Sequence, residues 1–296
     1  MSDNQKTLNT SIEFSGVGLH TGKDVHMLIE PAKINHGIKF QRIDLESQPI
    51  LPADINLVTD TQRSTTLEKD NVKIVTVEHL MSALYALGVN NVLIKINNSE
   101  VPILDGSAKH FVEEIQRVGL EIQDAPLKYI HLPKPIHYKD PETGSEILFV
   151  PANNFIISVV LDYENIALGT QYAEIRDLKD YSTEIAPCKT FVFLTELEKL
   201  ANANLIKGGG LENAIVMIDR KDTKTSEIKK LAHLLGKDDS DIQINGNVLN
   251  NCELQFHNEP ARHKLLDVIG DLALVGMPIK GHIITKKPGH KLNTSF

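Results

Sequence analysis

The chain has 296 residues, 41% hydrophobic and 24% charged, with 31 basic and 39 acidic side chains for a net charge of −8. That length allows roughly two domains of ~100–200 residues and is enough to bury real cores, and nothing in the composition suggests a disordered or fibrous chain. The acidic balance lacks the basic footprint of a nucleic-acid binder, so an anionic ligand would need a local cluster of cations.

The first sixteen residues are polar and lack the basic start and apolar centre of a secretory signal. No apolar run reaches the ~18–20 residues needed to cross a bilayer. Strand patterns follow at 10–14, 25–30 and 38–42, punctuated by Gly, Pro and Asn. A helix is expected over 76–87, with Thr76 as its N-cap and Gly88 as its stop. Residues 92–96 read as a strand, and 108–118 as an amphipathic helix closed by Gly119. The stretch 123–135 carries three prolines and is the expected boundary between domains 1–125 and 126–296. Beyond it, strands are expected at 146–150 and 155–162, a helix at 194–201 and a strand after Gly208–Gly210. A long helix then spans 260–275, stopped by Gly276 and Pro278, and 280–285 closes as a strand. Two segments echo one another: VEHLMSALYALG and RHKLLDVIGDLALVG each place a histidine early in an apolar helix that ends in glycine before a strand. Duplication of an α+β unit would explain the echo.

The two cysteines, Cys188 and Cys252, form no CxxC pair. That argues against a thiolate zinc site and fits a reducing cytoplasm. RHKLLDVIGD is the most informative segment. His263, Asp267 and Asp271 recur every four residues and so share one helix face, where an imidazole and a carboxylate one turn apart can chelate a divalent cation. A solvated polar face is the competing reading. In VEHL, Glu78 and His79 point ~100° apart on a helix, so both can approach a metal while only one ligates it. The spacing matches neither HExxH nor its inverted form, which would need a histidine at Val75. Two imidazoles and one carboxylate leave a fourth position open, the design of catalytic zinc, and Glu78 stands ready to take a proton. His290 follows a Pro-Gly pair; in isolation the pattern fits a surface histidine near a flexible tail. SGVGLHTG reads as a tight loop able to approach a ligand closely, and DGS at 105–107 as a turn capping the next helix.

Taken in order, SGVGLHTG, TVEHL, PILDGSA, KTF, RHKLLDVIGD and KPGH resemble the UDP-3-O-acyl-N-acetylglucosamine deacetylases, zinc enzymes of lipid A synthesis. The resemblance implies two similar α+β domains, each a two-layer arrangement of sheet and helices, with the active site between them. It implies one zinc on His79, His263 and Asp267; two imidazoles and a carboxylate suit ferrous iron as well. It makes Glu78 the general base, His290 the group that steadies the oxyanion and protonates the amine, and Asp271 the residue orienting His290. Thr190 and Phe191 match positions touching the oxyanion and the sugar, Lys264 a substrate-contacting cation, and Leu19 and His20 a loop at the site's edge. Lys287 is expected to join Lys264 in offsetting the substrate's diphosphate. An apolar passage for the acyl chain is expected in the second domain, with 194–211 supplying part of it. The expected partner is a small acylated UDP-sugar, bound by a cytoplasmic monomer. Competing readings are a non-catalytic sugar-nucleotide binding module of the same fold and a zinc amidase of another class.

One departure is visible. Many members carry a cysteine where Ser64 stands, and a thiol there holds a second, inhibitory zinc. The protein is therefore expected to tolerate excess zinc better than its Ser64→Cys variant when turnover is followed across zinc concentrations; equal inhibition of the two would refute this.

Overall fold

A computed structural model of the protein describes residues 4–162, 168–202, 206–220, 223–234, 244–249 and 253–296. The first half contributes β1 (Asn4–Leu8), β2 (Ile12–Val17), β3 (Asp24–Pro31), β4 (Ile38–Arg42), β5 (Ile50–Pro52), β6 (Val58–Asp60), β7 (Thr66–Lys69) and β8 (Val72–Ile74). It continues with α1 (Glu78–Ala86), β9 (Val92–Ile96), α2 (Lys109–Val118) and β10 (Leu120–Pro126). The second half begins with β11 (Ile130–His131), β12 (Ile136–Lys139), β13 (Glu146–Val150), β14 (Phe155–Asp162), β15 (Thr170–Ile175), α3 (Tyr181–Glu184), β16 (Phe191–Phe193) and α4 (Leu194–Asn202). It ends with β17 (Ile215–Met217), α5 (Thr225–Leu234), β18 (Ile244–Asn245), β19 (Val248–Leu249), α6 (Glu259–Ala273), β20 (Ile279–Lys286) and α7 (His290–Ser295).

The two halves repeat one topology. The first sheet has the order β2-β3-β9-β4-β5 and the second β12-β13-β20-β14-β15. In both, the central strand runs antiparallel to the neighbour on one side and parallel to the neighbour on the other, with antiparallel strands outermost. In each half the helix leading into the central strand, α1 or α6, ends at a left-handed glycine, Gly88 (φ 73°) or Gly276 (φ 79°). These are the two echoed segments, and the helices pack against one another. One apolar core joins the halves, from Phe40, Leu80 and Ile94 on one side to Leu265, Ile269 and Ile283 on the other. The fold is thus α+β and built from two similar units.

Each unit carries an insertion, and only the second was marked in part by the sequence pattern, through the helix expected at 194–201 and the strand expected after Gly208–Gly210. β6, β7 and β8 form a small sheet before α1; β16, β17, β19 and β18 form another before α6, with α4 and α5 packed over it. The proline-rich stretch is less irregular than expected. Its first residues belong to β10, antiparallel to β1, and the chain passes to the second sheet system between β10 and β11. Thr76 does not cap α1: the helix starts at Glu78, and Thr76 sits at φ 60° with its hydroxyl donating to Glu100 at 3.1 Å. His290 is no tail residue but the buried first residue of α7. Cys188 is buried and unbridged; Cys252 lies outside the described residues. Among the described helices none is long and apolar enough to cross a membrane.

Candidate active site

α1 and α6 meet where their N-terminal parts carry His79 and His263. His79 follows Glu78 at the start of α1. In α6, Pro260 lies in the first turn, where its missing N–H costs nothing, and His263 and Asp267 follow one turn apart. Asp267 Oδ1 lies 3.4 Å from His263 Nε2 and 3.8 Å from His79 Nε2, and all three side chains are buried. The two rings stand edge to face, centroids 5.0 Å apart.

The electrostatics fit a cation. Burial, aided by the neighbouring imidazole, pushes His79 down to about 3, and burial lowers His263 too, so both are neutral with lone pairs to offer. Burial alone would raise Asp267, but the Lys264 ammonium 2.8 Å from Oδ2 and the surrounding imidazoles hold its carboxyl below the usual range. Neutral imidazoles and an ionised carboxylate are the states a divalent metal requires. Asp267 Oδ1 is buried with no hydrogen-bond partner, which costs about 1–3 kcal/mol unless something satisfies it. His263 Nδ1 lies 3.0 Å from the Cys188 carbonyl; donating there fixes the tautomer that leaves Nε2 free to ligate. The residues present therefore fit a metal ion.

Glu78 and His290 flank this triad with opposed protonation tendencies. Burial raises the Glu78 carboxyl to about 7, with the His290 charge pulling against it. His290 is equally buried, yet Asp271, 2.8 Å from its Nδ1, raises it to about 9. Asp271 comes from α6, one turn beyond Asp267, and also accepts from Asn293 Nδ2 at 2.8 Å. Thr65, which no motif marks, enters the same cluster. Its amide donates to Glu78 Oε2 at 3.0 Å and its hydroxyl to Asp271 Oδ1 at 2.5 Å. The pattern offers no signal for Thr65, a short loop residue without periodicity. A backbone clue lies beside it: Arg63 (φ 68°), Thr76 (φ 60°) and Lys287 (φ 51°) are left-handed non-glycine residues two or three positions before Thr65, Glu78 and His290. Such conformations cost about 1–3 kcal/mol each and persist where surrounding structure imposes them.

SGVGLHTG is a loop only from Gly18 on, its first three residues belonging to β2, and that loop is fastened to the Thr76 turn. Buried Glu100 accepts from the His20 and Thr21 amides (2.9 Å each), the Thr21 hydroxyl (2.7 Å) and the Thr76 hydroxyl (3.1 Å). Gly18 is needed for this approach, because a Cβ there would lie 2.3 Å from Glu100 Oε2. Leu19, His20, Thr190 and Phe191 line one cavity, together with apolar side chains that include Leu194, Leu197, Leu200, Ile206 and Leu211. Thr190 is placed by its amide, which donates to the Gly106 carbonyl at 2.8 Å, so the DGS turn does more than cap α2. Lys264 Nζ stands 5.8 Å from the Phe191 ring centre. Lys287 closes β20 with its amide on the Val160 carbonyl and does not line the cavity.

Comparison with known proteins extends the match well beyond the site. The model of the family described as "UDP-3-O-acyl N-acetylglycosamine deacetylase" matches residues 5–232 and 234–296. The "Bifunctional enzyme LpxC/FabZ" of Bacteroides thetaiotaomicron is 49% identical over 292 residues, 99% of this chain and 63% of that protein. Its namesake from Chlorobaculum tepidum is 42% identical over 294 residues, with the same coverage of both chains. The chain thus spans 63% of the length of these two relatives. The "UDP-3-O-acyl-N-acetylglucosamine deacetylase" of Thermosynechococcus vestitus is 37% identical over 292 residues, 99% of this chain and 92% of that protein. With the match running through both α+β units, the chain belongs to the UDP-3-O-acyl N-acetylglycosamine deacetylase family.

Proposed function

We propose that the chain is a zinc-dependent deacetylase. It removes the N-acetyl group of UDP-3-O-acyl-N-acetylglucosamine to give UDP-3-O-acyl-glucosamine and acetate, the committed step of lipid A synthesis. One observation carries the reading: the unsatisfied Asp267 Oδ1 faces two neutral imidazoles beside a buried carboxyl whose pKa sits near 7. The names of its relatives supply the substrate.

His79, His263 and Asp267 would hold the zinc. When bound, such an ion brings the pKa of a coordinated water to around 7 and polarises a carbonyl. Glu78 takes a proton from the attacking water as the new C–O bond forms at the acetamide carbon. His290, protonated at neutral pH, and the Thr190 hydroxyl donate to the developing oxyanion. The C–N bond then breaks, His290 gives its proton to the departing nitrogen, and acetate is left. Leu19, His20 and Phe191 meet the sugar, Lys264 and Lys287 offset the diphosphate, and the apolar cavity receives the acyl chain. We place this activity in the cytoplasm, in a monomer.

A non-catalytic sugar-nucleotide module would have no use for Glu78 and His290 poised on either side of a ligand set. The test is acetate release from the acylated sugar nucleotide, run beside metal analysis of the same samples. One zinc per chain and one acetate per deacetylated product are expected, with metal lost in His263→Ala and Asp267→Ala. No acetate from metal-replete protein would defeat the reading, and ferrous iron in place of zinc would correct its cofactor.

A further inference from the structure

We infer that Thr65 is a positioning residue that sets the proposed base and the proposed acid relative to each other through one side chain and one amide. The inference rests on the roles proposed above for Glu78 and His290. Glu78 belongs to α1, Asp271 to α6 and His290 to α7. Thr65 touches all three. Its amide holds Glu78 Oε2 at 3.0 Å, its hydroxyl donates to Asp271 Oδ1, and the same oxygen lies 3.2 Å from His290 Nδ1. The residue is fully buried, so no solvent competes for these bonds.

Asp271 shows why the hydroxyl matters. Its Oδ2 accepts from His290 Nδ1 and Asn293 Nδ2, both at 2.8 Å. Its Oδ1 has the Thr65 hydroxyl. With both oxygens engaged the carboxylate cannot turn, and the imidazole bonded to it keeps its plane. His290 Nδ1 is then committed to Asp271, which leaves Nε2 as the nitrogen that exchanges a proton with the substrate. Without the hydroxyl, Asp271 Oδ1 becomes a buried acceptor lacking its donor. The Asp271–His290 pair can then rotate, while the Thr65 amide continues to hold Glu78. Thr65 touches no reacting atom. It acts through alignment, and misalignment of a proton donor is costly because near-attack geometry is narrow. The left-handed Arg63 two residues earlier fits a loop bent to aim residue 65 inward.

A threonine that merely satisfied buried acceptors would affect stability alone, and the experiment separates the two roles. Thr65→Val keeps the shape and removes the hydroxyl; Thr65→Ser keeps the hydroxyl. For Thr65→Val, kcat for acetate release is expected to fall about tenfold or more, with KM and zinc content unchanged. Thr65→Ser is expected to restore kcat to within about threefold of wild type. At one fixed pH, the ring nitrogen signals of His290 should shift in Thr65→Val and stay in place in Thr65→Ser. Thr65→Ala gives the same comparison if Thr65→Val does not fold. The inference is overturned by wild-type kcat without the hydroxyl, by equal losses in Val and Ser, or by His290 signals identical in all three proteins. If wild type itself releases no acetate, the deacetylase reading falls separately, and the His290 signals still decide the place of Thr65.

Discussion

Glu78→Gln is expected to lower turnover by about 10²–10⁴-fold, the usual contribution of a positioned general base. The substitution is isosteric, and its amide oxygen can still accept from the Thr65 amide, so the pocket should not collapse. Metal content should also be unchanged, because Glu78 is not among the three converging ligands. The pH profile supplies the sharper readout. As the proposed base, Glu78 must be ionised to accept a proton, so activity is expected to fall as pH drops through its pKa of about 7. As the proposed acid, His290 must be protonated to donate, so activity is expected to fall as pH climbs through about 9. A bell with those limbs is expected for kcat/KM, with the acid limb moved lower by any cation resting in the triad, since positive charge favours the carboxylate. Glu78→Gln should erase the acid limb and keep the alkaline one. A variant within tenfold of wild type, or one retaining the acid limb, would remove Glu78 from the role of base.

The second expected effect is larger than its chemistry suggests. Gly270 lies on α6 between Asp267 and Asp271, and a Cβ added there would sit 2.0 Å from the Glu78 carbonyl oxygen. An ordinary contact needs about 3.5 Å, so Gly270→Ala must push α6 and α1 apart by on the order of an ångström. His79 rides on one helix and its two partner ligands on the other, so the triad widens with them. A misplacement of about 1 Å can cost ~100-fold in rate, and weaker metal retention should accompany it. The sign of the stability change is diagnostic. In an unconstrained helix, glycine to alanine stabilises by about 1 kcal/mol, whereas overpacking here should destabilise by about 1–3 kcal/mol. Thermal unfolding, zinc content and kcat/KM measured on one preparation check all three, and a variant as stable and active as wild type would refute the close-contact argument.

Much of this was legible from local pattern. The strands 38–42, 92–96, 146–150 and 155–162 were readable because apolar side chains mark them clearly. His263, Asp267 and Asp271 stood out because a helix puts every fourth residue on one face. What stayed hidden depends on partners distant in sequence. Thr76 looks like a cap by residue type, but Glu100 draws its hydroxyl elsewhere. Strand β1 is polar and exists through its pairing with β10, more than a hundred residues away. His290 resembles a tail residue until Asp271 and Thr65 are brought to it. Gly270 shows nothing in sequence, because its purpose is the backbone of another helix.

The repeated topology has one more consequence. Since the donor atoms are divided between the two copies of the repeat, an ion bound among them rivets one copy to the other. Linkage makes the relation reciprocal: whatever affinity the ion gains from the joined arrangement, the joint gains in strength from the ion. A compound that pries the copies apart would release the ion as it loosened the architecture, and stripping the ion would weaken the joint by the free energy the joint lends to binding.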